Sequence, residues 1–183
     1  MVARNSWYYF EQSPACVCQG IYPDYASFVT APELSRYISE HSLPASRIAV
    51  FGSEPEIYFY AHRHAASGYI YMYDISSAAV HAAEMKREML REVEAARPEF
   101  IVDVHDRFSW SGGFSLETQR IHEWSEQYLK SGNYRQVAVA ENVAGQIVYR
   151  WDADAAGYSP TSEFSICVLS SEPVNRARQR LEN

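Results

Sequence analysis

The chain has 183 residues and a formal charge of −7, with 47% hydrophobic and 21% charged residues. That is the composition of a globular domain with a sizeable core, not a disordered segment. The negative balance argues against nucleic acid as a partner, since phosphate binding needs concentrated positive surface. Cys16, Cys18 and Cys167 form an odd set with poor spacing for a disulfide, so they imply no disulfide framework; a Cys/Cys/His metal site is the minor alternative. No apolar run is long enough to span a bilayer, and the first residues lack the apolar core of a signal peptide.

Residues 1–29 are aromatic and irregular, and are expected to pack along the edge of a single α/β domain over 30–173, with 174–183 as a flexible basic tail. Thr30-Ala-Pro-Glu33 reads as a capping box with Pro32 in the first turn, opening a helix whose face carries Leu34, Tyr37, Ile38 and His41. Arg47–Phe51 reads as a buried strand ending at Gly52, and Pro55 as the opening of a short helix to about His62. Tyr69–Tyr73 is expected to be a second strand. Ser77–Ala96 is expected to be a helix with Ala82, Met85, Met89, Val93 and Ala96 inward, stopped by Pro98.

Phe100–Val104 reads as a third buried strand, followed by a loop with Ser111-Gly-Gly113. A helix over about 115–130 follows, with Ile121, Trp124 and Tyr128 on one face. Residues 134–141, 146–151 and 164–169 read as strands, the first two joined near Gly145. This order predicts a three-layer α/β/α sandwich, with a mostly parallel central sheet and an antiparallel C-terminal hairpin extension.

Ligands of open α/β sheets lie beyond the carboxyl ends of the strands. Three loops fall there: Gly52–Pro55, Asp74, and His105–Phe108. Glu54 and Glu56 oppose a phosphate on the first, and no glycine-rich nucleotide motif is present, so no cofactor is expected. Ser53 follows Gly52 but lacks the second glycine of a nucleophile elbow. Asp103, His105 and Asp106, with His62 and His64, offer donors for a metal or for acid–base work, or are surface polar residues. His41, His81 and His122 read as partly buried or solvated helix residues.

Asp152, Asp154, Gly157 and Glu163 match some positions of a calcium loop. Ala156 and Ser159 occupy ligand and apolar positions, however, and the flanks read as strands, so a polar connection is expected.

Arg47–Ala61 and Ser67–Tyr73, flanked by Trp7–Pro14, Ala95–Val102 and Ser109-Trp110, carry a resemblance over about residues 7–130. They resemble the C-terminal soluble region of bacterial polytopic glycosyltransferases of family 39, which are similar to dolichyl-phosphate-mannose-protein mannosyltransferases. The resemblance implies a parent that transfers sugar from a polyprenyl-phosphate carrier at the outer membrane face. It implies an extracytoplasmic location, with the transmembrane region or its lipid-linked sugar substrate as partner. The family's catalytic acids lie between transmembrane helices absent from this sequence, so no catalytic residue carries over. His62-Arg63-His64 departs from the small-Arg-Arg pattern of the family.

The leading expectation is a non-catalytic domain that binds or positions a sugar donor or acceptor through Ser53, Glu54, Glu56, Tyr58 and Tyr60, with Asp103, His105 and Trp110 as the opposite wall. One alternative is a metal-dependent hydrolase using His62, His64, Asp103 and His105. A further one is an interaction module docking through its aromatic N-terminal segment.

Overall fold

The computed structural model describes residues 6, 10–22, 26–77, 80–110, 116–132 and 134–171. The expected loop at 111–113, the basic tail, and Trp7, Tyr8, Tyr9 and Tyr25 lie outside them. Six strands form one open sheet: β1 (Arg47–Phe51), β2 (His64–Ala65), β3 (Phe100–His105), β4 (Arg135–Val143), β5 (Gln146–Trp151) and β6 (Ser165–Ser170). Their order is β2-β1-β3-β6-β4-β5. β1 runs parallel to both β2 and β3, whereas β6 pairs antiparallel with β3 and β4, and β4 with β5. The expected architecture is therefore present, with one feature no local pattern discloses: the last strand enters the middle of the sheet.

Alternation along the strands sends side chains to two layers. Ile48, Val50, Phe100, Val102 and Val104 face α2 (Ser27–Glu40) and α3 (Glu56–Ala61), packing on Leu34, Ile38, Ile57 and Ala61. Ala49, Phe51 and Ile101 face α4 (Tyr73–Ser76), α5 (Ala82–Ala96) and α6 (Leu116–Ser131), packing on Ile75, Met89, Val93 and Ile121. The inward stripe of α5 and the Ile121 face of α6 are those expected. No helix among the described residues is long and apolar enough to cross a membrane.

Several local expectations need correction. α1 (Pro14–Ile21) occupies the segment read as irregular; its signal is Ser13-Pro14, where the serine Oγ accepts from the Cys16 N–H at 3.3 Å. α2 starts at Ser27, so Thr30 is no cap: its Oγ1 donates to the Ser27 carbonyl at 3.1 Å, and Pro32 lies inside the helix. Tyr69–Met72 is not a strand but an extended crossing over the sheet end. Only Met72 is fully buried there, and the Tyr69 and Tyr73 hydroxyls donate to Glu88 and to the Phe108 carbonyl. These tyrosines spend their polar groups on helix and loop partners, and β1 takes the two-residue β2 as its neighbour instead. α5 begins at Ala82 because Ser77 ends α4, donating through Oγ to the Asp74 carbonyl at 2.7 Å.

The acidic 152–163 segment is strapped to β4 as a polar connection. Tyr37 donates to Asp152 at 2.6 Å, and Gln136 donates to the Ala155 and Tyr158 carbonyls. Buried Glu141 accepts from the Tyr158 hydroxyl and from the N–H groups of Thr161 and Ser162, at 2.6, 2.6 and 2.9 Å.

Candidate functional site

At the carboxyl end of β1 the chain makes a tight turn. Gly52 is required there: a Cβ would run into Glu54 Oε2 and approach Val104 Cγ2 to 2.6 Å. The turn is tied to both neighbouring loops by a short polar chain. The Ser53 N–H donates to Ser109 Oγ at 2.7 Å, and the Ser109 hydroxyl donates to Glu54 Oε2 at 2.8 Å. The Met72 N–H donates to Ser53 Oγ at 3.0 Å. Ser109 belongs to a 3₁₀ turn (Arg107–Ser109) after β3, capped by Asp106, whose carboxylate accepts from the Phe108 N–H at 2.9 Å.

These contacts form the floor of a cavity of about 290 Å³, close to the lower limit for small-molecule sites. Ser53, Glu54 and Glu56 line it from the β1–α3 turn, and Phe108 and Ser109 from the 3₁₀ turn. Tyr71 and Tyr73 come from the crossing segment, and Tyr22, Ser27 and Phe28 from the end of α1 and the start of α2. The Tyr71 and Tyr73 rings lie 4.6 Å apart, and Tyr22 and Phe28 5.3 Å apart.

Glu54 is the chemically unusual group. It is 3% exposed. Burial, reinforced by the nearby Glu56 and Asp106 and opposed by the Ser109 hydrogen bond, pushes its carboxyl up to about 8. At neutral pH it is mostly protonated, so it donates as well as accepts. Burial also raises Glu56, and it raises Asp106 against the opposing Phe108 N–H and Arg107.

A second group lies on the α6 side of the sheet. His105 Nε2 is 3.0 Å from Asp103 Oδ2, and His122 Nδ1 is 3.8 Å from Asp103 Oδ1. The two imidazoles stack at 5.6 Å, and Trp110 packs on His122 at 4.7 Å. The Asp103 hydrogen bond raises the His105 pKa, whereas burial lowers that of His122. His122, read from sequence as an ordinary helix residue, belongs to this group; nothing in its local pattern shows that α6 carries it over the end of β3.

The predicted site residues therefore divide. Ser53, Glu54 and Glu56 line one cavity; Asp103 and His105 pair with each other outside its lining. Tyr58 is half-buried against the core, and its hydroxyl accepts from the Val50 N–H at 2.9 Å; Tyr60 is exposed on α3, and both lie outside the lining. Trp110 is fully buried, with Nε1–H donating to the Val104 carbonyl at 2.9 Å, so it is not a ligand wall.

The proposed metal set is not assembled. His64 pairs with Arg47 at the start of β1 and Asp103 with Phe51 at its end, about 13 Å apart along the strand. Among the described residues no group of three or more His, Cys, Asp or Glu is placed to hold a metal. Arg63 is buried and donates to the carbonyls of Ser39, Ala61, His62 and Ser42 and to Ser42 Oγ, which leaves it a structural role. Tyr22, Ser27, Phe28, Tyr71, Tyr73, Phe108 and Ser109 also line the cavity and are not among the predicted contacts. The only sequence signal of the last four is position beside two strand ends.

Comparison with known protein families, with curated proteins and with solved structures finds no match to this chain.

Proposed function

We propose that this chain is a non-catalytic carbohydrate-binding domain that positions a sugar for a lipid-phosphosugar-dependent membrane glycosyltransferase, working on the extracytoplasmic side. The binding half of this reading is carried by the cavity at the carboxyl end of β1, where Glu54 and Glu56 share a lining with Tyr71, Tyr73 and Phe108. Carboxyl groups supply hydrogen bonds to sugar hydroxyls, and aromatic faces supply apolar contact to the ring. The membrane-enzyme half rests on the sequence resemblance over about residues 7–130.

The acidic lining selects the part of the substrate that fits. A phosphate would be repelled by Glu56 and would find no lysine, arginine or histidine among the described lining residues. The cavity therefore suits the sugar and not the phosphate of a lipid-linked donor, or else an acceptor glycan.

The test is a titration of hexose mono- and disaccharides followed by NMR. Resonances of Tyr71, Tyr73 and Ser109 are expected to shift. Tyr71→Ala with Tyr73→Ala should weaken the best ligand by about tenfold, from two aromatic contacts of roughly 0.5–1 kcal/mol each. Saturating sugar that moves none of these resonances overturns the reading.

A further inference from the structure

We infer that the ligand of this cavity carries an ammonium group, seated between the carboxyls of Glu54 and Glu56 and the rings of Tyr71 and Tyr73. The inference rests on the cavity being a binding site and names the chemistry of what it binds.

Burying a carboxyl is costly unless it is protonated or meets a cation. Glu54 is 3% exposed, and its hydrogen bond to a side chain comes from a neutral serine hydroxyl. The charged groups acting on it are Glu56 and Asp106, both of its own sign. Arg107 acts on Asp106, but it is exposed, stands 4.6 Å from the Phe108 ring centre, and is not part of the lining. No described lining residue is cationic.

Among its described lining residues the cavity thus gathers acid without a counter-charge and sets it beside aromatic rings, whose faces attract cations. A neutral ligand leaves the acidic excess uncompensated, and an anionic one worsens it. An ammonium group answers both features at once: it makes charged hydrogen bonds with the carboxylates and cation–π contacts with the rings. Because Glu54 is mostly protonated at neutral pH, seating the cation expels a proton from it. Two ligand sources share this chemistry, an amine-bearing sugar and a small alkylammonium compound.

The test compares four probes at pH 7 by calorimetry: glucosamine, glucose, tert-butylammonium and its neutral analogue tert-butyl alcohol. Each cation is expected to bind about tenfold more tightly than its neutral partner. That preference should fall in Glu54→Gln and in Glu56→Gln, each checked for folding by circular dichroism. Heats measured in two buffers of different ionisation enthalpy should show proton release with the wild type and not with Glu54→Gln.

Glucose binding as tightly as glucosamine overturns the inference and leaves the carbohydrate reading standing. Tert-butylammonium binding while neither sugar binds upholds the inference and overturns that reading. No binding by any probe overturns both.

Discussion

Glu54 and Glu141 are two buried glutamates near the carboxyl ends of strands, 3% and 0% exposed, yet their environments act in opposite directions. Glu141 receives the Tyr158 hydroxyl and the N–H groups of Thr161 and Ser162, with Arg150 at 3.6 Å. That set of donors, led by the Tyr158 hydrogen bond, holds its carboxyl down to about 2. Glu54 is pushed up to about 8 chiefly by burial, with two acidic neighbours adding to it and the Ser109 hydroxyl opposing it. Equal burial therefore says little about role. A buried acid whose acceptor capacity is filled is a clamp, whereas one beside a cavity with acidic neighbours keeps acceptor capacity open.

The comparison breaks most visibly at the clamp. Glu141→Ala removes the acceptor for three donors and strands Arg150 in a partly buried site. It should cost about 3 kcal/mol in urea unfolding, while leaving ligand titrations of the cavity, whose lining it does not join, unchanged. A loss below about 1 kcal/mol would mean that Glu141 does not hold the 152–164 loop.

A smaller effect is expected at the other glutamate's support. Gly52→Ala forces a methyl group against Glu54 Oε2 and Val104, with a cost of about 2 kcal/mol. Here the ligand titration should weaken too, because the displaced group lines the cavity.

The third effect is confined to one pH window and sharpens the contrast there. Glu54 has a folded pKa above its unfolded value of about 4.3, so the folded state holds the extra proton between that value and about 8. Its contribution is fully present below pH ~4.3 and is lost as the pH rises through the folded value. Glu54→Gln should therefore be more stable than the wild type at pH 9, by several kcal/mol, and nearly equal to it at pH 4. Glu141 has the reverse sign: its stabilisation is present above the unfolded value and is lost as the pH falls toward about 2. Stability curves of the wild type and the two Gln variants check both slopes.

Much of the scaffold was legible in the sequence. The apolar run at 47–51, the stripe of α5 and the turn at Ala144-Gly145, both with positive φ, announce themselves through local pattern. The carboxyl-end rule for α/β sheets also directed attention to Ser53, Glu54 and Glu56. The failures share one cause, since a local pattern does not say which neighbour an element meets. Tyr58 and Trp110 have the chemistry of ligand contacts, but α3 sets Tyr58 against the core and the chain after β3 buries Trp110 in it. The alternating Tyr69–Tyr73 segment has the period of a strand, but its hydroxyls find Glu88 and the Phe108 carbonyl across the fold. Likewise, the Asp103–His122 approach joins residues on a strand and a helix that only tertiary packing brings together.

The placement of β6 between β3 and β4 has a consequence for how the chain is made. Every strand up to β5 leaves the ribosome before the one that joins the two halves of the sheet. Until residues 165–170 emerge, β3 and β4 each present an unpaired edge, the kind of template on which chains pair wrongly with one another. The central seam closes only with contacts such as Phe100 to Ser170, whose large separation along the chain favours slow folding. Nascent chains stalled after β5 should accordingly be protease-sensitive, and the chain should gain protection in one step as β6 clears the exit tunnel.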